Sequence, residues 1–81
     1  MLYLYLISQN ENNDYDTYDS AVVVASSEDE ARKIHPDGEN GRWDKGYWTS
    51  SPEKVRVYQI GIANSEQKAG DVVCASFNSG G

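Results

Sequence analysis

The sequence predicts an α+β fold of order β-β-α-β-β: a four-stranded, mostly antiparallel sheet with one short helix on one face. Three observations carry this. The apolar residues, 38 % of the 81, gather in four short runs. A stretch with helix start and stop signals lies between the second and third runs. Everything else is polar and rich in Gly, Asn, Asp and Ser, as turns and connections are.

Leu2 to Ile7 is apolar at every position. Leu2, Leu4 and Leu6 point to one side of a strand, and Tyr3, Tyr5 and Ile7 to the other. A strand apolar on both faces belongs inside its sheet. Ser8 to Asp19 is a polar connection containing Tyr15 and Tyr18. Ala21 to Ala25, with three successive valines, is the second strand. Ser27 with Glu30 fits a capping box. The three acids Glu28, Asp29 and Glu30 suit the positive end of a helix dipole, and Arg32, Lys33 and a charged His35 the negative end. Pro36 stops this helix after about two turns. It would not stand alone, so it lies on the sheet through Ala31 and Ile34.

Asp37 to Ser51 is irregular and holds Trp43, Tyr47 and Trp48. Ser51-Pro52-Glu53 reads as one helical turn with a serine cap and proline in first position. Val55 to Ile62 is the third strand. Val55 and Val57 share one face, Tyr58, Ile60 and Ile62 the other, so the alternation slips; a bulge or burial on both faces would explain it. Asn64 to Gly70 is a turn, and Val72 to Phe77 the fourth strand.

A chain of 81 residues makes one domain, residues 1–81, with one core and a small stability margin. One cysteine, Cys74, excludes an intramolecular disulfide, and one cysteine with one histidine cannot build the usual structural zinc site. No apolar run reaches the ~20 residues that span a bilayer. Met1 to Ser8 lacks a basic start and a cleavage site, so it reads as a strand, with the cytoplasm as the expected location.

The net charge of −6 is one-sided. Residues 1–31 hold seven acids and no Lys or Arg, a charge of −7; residues 32–81 hold six acids and seven bases, +1. Phosphate backbones demand the opposite sign. Direct binding to nucleic acid or to an anionic membrane is therefore not expected, whereas a protein with a basic surface is an allowed partner. Asp14, Asp16, Asp19, Glu28, Asp29 and Glu30 are the candidate partner-binding residues, against a role in capping and solubility alone. Asp14-x-Asp16-x-x-Asp19 also invites a calcium reading. It fails, because an EF-hand loop begun at Asp14 has Asp19 where glycine belongs and Ala25 where glutamate belongs.

Trp43, Tyr47 and Trp48, beside Arg42 and Lys45, form a second candidate. They serve either as interface anchors or to complete a thin core. Cys74, flanked by Val73 and Ala75, reads as a small buried hydrophobe, and nothing pairs it with His35. With no phosphate-binding glycine loop either, no catalytic residue, metal or cofactor is expected, and the chain is not expected to be an enzyme. The ending Gly80-Gly81 allows an alternative. Ubiquitin-like domains and sulfur carriers thread such a tail into an activating enzyme, glycine being the residue that fits the channel. The β-β-α-β-β order is also that of their β-grasp fold.

Tyr15-Asp16-Thr17-Tyr18-Asp19-Ser20-Ala21-Val22-Val23-Val24-Ala25, the segment Ser27-Glu28-Asp29-Glu30-Ala31-Arg32, His35-Pro36, Trp48, the Ser51-Pro52-Glu53-Lys54-Val55 turn, Ile60-Gly61 and the ending Val73-Cys74-Ala75-Ser76-Phe77-Asn78 together resemble a family of small uncharacterised proteins encoded by bacteriophages and prophages. The resemblance covers most of the chain and brings no catalytic residues. It implies an accessory protein in a host cytoplasm, where small acidic phage proteins often inhibit nucleic-acid-handling or defence complexes. A structural or virion-associated component is a further alternative.

Overall fold

The computed structural model describes residues 1–10, 17–38, 48–49, 51–64 and 66–78, the last two by their backbone. Its elements are β1 (Tyr3–Ser8), β2 (Thr17–Ala25), α1 (Glu28–Arg32), a single 3-10 turn (Pro52–Lys54), β3 (Arg56–Ile62) and β4 (Val72–Asn78). The sheet order is β3-β1-β2-β4 and every neighbouring pair is antiparallel. The four-stranded α+β fold expected from the apolar runs is therefore the fold observed, with β1 inside the sheet.

This order does not match a β-grasp fold, in which the first and last strands lie side by side and parallel at the centre. Here β4 is an edge strand, antiparallel to β2. Element order is common to both folds; strand pairing is not. The β-grasp expectation is corrected accordingly. Gly80 and Gly81 lie outside the described residues.

The pairing Tyr3 with Ala25, Tyr5 with Val23 and Ile7 with Ala21 puts these six side chains on one face. All but Tyr3 form the core there with Ala31 of α1, Trp48 and Val55, while Tyr3, Tyr18, Ile34, Val57 and Val72 pack against its rim. The apolar period of two on β1 and β2 thus meets the single apolar stripe of a short helix, which is why the helix survives at this length. Arg32 holds the far side down by donating from Nη1 to the carbonyl of Val55 at 3.0 Å.

The helix is shorter than expected, five residues. The amides of Lys33 and Ile34 bond three residues back, to Glu30 and Ala31. That tightening ends the helix ahead of Pro36, which disfavours helical geometry at the residue before it. The turn at Pro52 forms as expected, but Ser51 makes no side-chain cap. Val55 closes that turn and enters the core instead of opening β3.

The third strand contains a bulge, but it lies past Tyr58 and turns Ile62, opposite Tyr3, to the core side while Tyr58, opposite Leu6, stays on the other, so the expectation that Tyr58, Ile60 and Ile62 share a face is corrected. Leu4 pairs with Gly61 and Tyr5 with Gln59, leaving Ile60 as the extra residue. Past the bulge the chain must travel from one edge of the sheet to the other. It does so around the end where β1 begins and β2 stops. The amide of Ala63 donates to Leu2 (3.0 Å), and that of Gly70 to Val24 (2.8 Å). Gly70 has φ +94, a conformation that favours glycine, at the turn into β4.

Cys74 is exposed, which corrects the expectation of burial. It pairs with Val22, whose side chain points away from α1. One row crosses all four strands on this second face: Tyr58, Leu6, Val22 and Cys74. Exposure on this face rises toward the sheet edges: Val24 is fully buried and Leu6 and Val22 are half-buried, while Tyr58 and Cys74 on the edge strands are exposed.

Candidate functional site

The acids of α1 stand at the end of the sheet where β2 stops. Ser27, extended at φ −155, caps the helix by accepting from the amide of Glu30 at 3.3 Å. The reciprocal arm of the expected capping box is displaced by one residue. The Glu30 carboxylate accepts from the amide of Ser26 (3.1 Å) and from the Ser26 hydroxyl. The hydroxyl bond first, and the amide bond second, hold the Glu30 carboxyl below its usual range, against a small opposing effect of burial. Its contribution to stability is consequently present above about pH 4.5 and lost as pH falls through the lowered value. Ser27→Ala is expected to cost about 1 kcal/mol, read as a lower urea midpoint with an unchanged slope.

Glu28 and Asp29 are exposed, and their carboxylates make no hydrogen bond among the described residues. Their field reaches the sheet. The Tyr5 phenol is raised by burial first and then by the charge of Glu28. Of the three acids in this turn, Glu30 is occupied in holding it, while Glu28 and Asp29 face solvent.

Asp19 is elsewhere. It is the extra residue in the pairing of β2 with β4, between Tyr18 and Ser20, and it lies six strand residues before Ala25, about 20 Å at ~3.3 Å per residue. That exceeds the Debye length of about 8 Å at physiological salt. Asp19 and the acids of α1 therefore act as two separate charged ends and not as one face. Asp14 and Asp16 lie outside the described residues.

At the Asp19 end the bulge turns Tyr18 toward the helix side. Its hydroxyl donates to Oδ1 of Asp37 at 2.9 Å, and its ring meets His35 edge-on at 6.2 Å. Burial, then the bond to Asp37, raises the Tyr18 phenol. His35 is only 4 % exposed, and its Nδ1 accepts the amide of Asp37 at 3.0 Å. An accepting Nδ1 has no proton, so the imidazole is neutral. The expected charged His35 at a helix end is thus corrected: burial against Tyr18 outweighs the dipole of so short a helix.

Trp48 is 2 % exposed and belongs to the core. Core completion, one of its two expected roles, is the role it fills, and it cannot anchor a partner from that position. Trp43 and Tyr47 lie outside the described residues. Among the described residues no three His, Cys, Asp or Glu side chains converge as metal ligands. No helix among them is long and apolar enough to cross a membrane. The exposed apolar residues Tyr58, Ile60 and Ile62 on β3 were not singled out as a site by sequence reasoning. Their signal was the phase slip, but only the pairing shows that β3 is an edge.

Fold and charged ends together define a four-stranded antiparallel α+β domain with an acidic helix start. Comparison with family models, curated proteins and solved structures finds no match for this chain.

Proposed function

We propose that this chain is a non-enzymatic protein-binding module, a phage accessory protein that docks on a basic surface of a host or phage protein in the host cytoplasm. The observation that carries this reading is the pair Glu28 and Asp29, exposed at the start of α1 with Glu30 bound beside them. The charge of −7 in the first 31 residues supports it, as does the resemblance to phage proteins. The class of partner that fits is a nucleic-acid-handling or defence complex, whose own substrate demands a basic surface.

Charged interfaces set on-rate and specificity and weaken with salt. Immobilised protein incubated with host lysate is expected to retain a basic partner at low salt and release it as salt rises. The double variant Glu28→Lys, Asp29→Lys, shown to be folded by circular dichroism because both acids also favour the helix dipole, is expected to retain none. Recovery of the same proteins by that variant would overturn the assignment to α1.

A further inference from the structure

On the helix side of the sheet the cover thins toward one corner. Val55 is buried and Val57 half-buried, but Gln59 and Ile62 are exposed, Ile62 at 62 %. On β1, Ile7 and Tyr5 are buried and Tyr3 is half-buried. Tyr3 pairs with Ile62, so the two side chains are neighbours on this face. The cause is the path of α1. The helix starts just past Ala25, the residue paired with Tyr3, and its last residue, Arg32, reaches the carbonyl of Val55, ahead of β3. It therefore runs diagonally away from the end of β3. The charge beside the corner is negative. Tyr5 meets the Tyr3 ring edge-on at 6.3 Å, and its phenol is raised by burial first and then by the charge of Glu28. Asp29, also exposed, follows Glu28. Arg56, the one charge on β3, lies at the other end of the strand and on the other face, opposite Ser8.

We propose that the corner formed by Tyr3 and Ile62 is the apolar half of a docking surface whose charged half is Glu28 and Asp29, and that its occupant is an amphipathic basic segment of a partner protein, with a large apolar side chain set among its lysines or arginines. This rests on the reading that the acids of α1 dock a basic partner, and it adds the apolar contact that such a partner must bring. Charge complementarity selects the occupant. An apolar corner alone admits any apolar side chain, but acids at its border favour one carried between cations and oppose one carried between acids. A second copy of this chain, meeting the corner with its own, would set Glu28 and Asp29 against themselves. The acids alone would accept any cation, whereas Ile62 gains only from a side chain that leaves water with it. The corner is far smaller than the ~1,200 Å² at which stable interfaces begin. The contact is accordingly weak and reversible.

Two synthetic peptides of equal length and charge test this, one with leucines among its lysines and one with serines in place of the leucines. Each is titrated at low salt into the full isotope-labelled chain, and amide chemical shifts are followed. The lysine–leucine peptide is expected to shift the amides of Tyr3, Ile62 and Glu28 together and to bind about tenfold tighter than the lysine–serine peptide. Ile62→Ser, at an exposed position, removes that advantage, while Tyr58→Ser on the other face keeps it. Circular dichroism spectra and melts confirm that each variant is folded. Equal binding of the two peptides at α1 overturns this proposal and leaves the charged docking of α1 standing. An advantage that survives Ile62→Ser overturns it as well. Binding of neither peptide overturns both readings.

Discussion

Trp48→Ala is expected to leave the protein largely unfolded at 37 °C. Trp48 is among the largest fully buried side chains and touches the face where Tyr5, Ile7 and Val23 meet Ala31. Truncating a buried tryptophan costs about 3–5 kcal/mol, from lost transfer energy and the cavity that remains. A domain of this size has about 4–12 kcal/mol in total, at ~0.05–0.15 kcal/mol per residue. The substitution therefore removes about a quarter of the margin at the least and all of it at the most. Urea unfolding followed by circular dichroism measures the loss. Leu6→Ala, on the less covered face, is the comparison and should cost clearly less. Equal costs would show that Trp48 does not complete the core.

The second large effect is on pH. His35 is the single histidine of the chain. In the folded protein its Nδ1 accepts the amide of Asp37, and the ring is buried against the edge of Tyr18. A proton on Nδ1 would set one N–H against another. The unfolded chain takes up that proton near pH 6.5. Below this value the unfolded state binds more protons than the folded state, so stability falls as pH falls. The melting midpoint should be flat from pH 8 to 7 and then drop toward pH 5.5. His35→Asn places a non-titrating oxygen acceptor near the position of Nδ1. It should melt lower at pH 7.5, having lost ring volume, but show no slope across this window. A wild-type midpoint that is flat to pH 5.5 would contradict the neutral, accepting imidazole.

Much of the fold was legible because it is written in local patterns. The period-two runs marked the strands, and Ser27, the following acids and Pro36 marked the helix and its ends. A bulge, one of the two explanations offered for the apolar pattern of the third strand, is present, but at Ile60 and not between Val57 and Tyr58. The misreadings share a cause. Cys74 looked buried because its neighbours are apolar, yet exposure depends on whether a layer lies above the strand. His35 looked like a helix-end cation because it follows Arg32 and Lys33, yet its protonation is governed by Tyr18, which is distant in sequence. The acids looked like one face because they are near in sequence, yet β2 carries Asp19 about 20 Å from Ala25.

The sequence by itself determined the composition of each element, the one-sided charge and the absence of a disulfide within the chain. These follow from residue identity and from spacing along the backbone. Only the tertiary structure decided which strands are edges, which side of the sheet stays open and which acids stand together. The physical reason is that hydrophobic burial is non-directional. It requires that Tyr5, Val23, Ala31 and Trp48 leave water together, but strand order and register decide what remains outside.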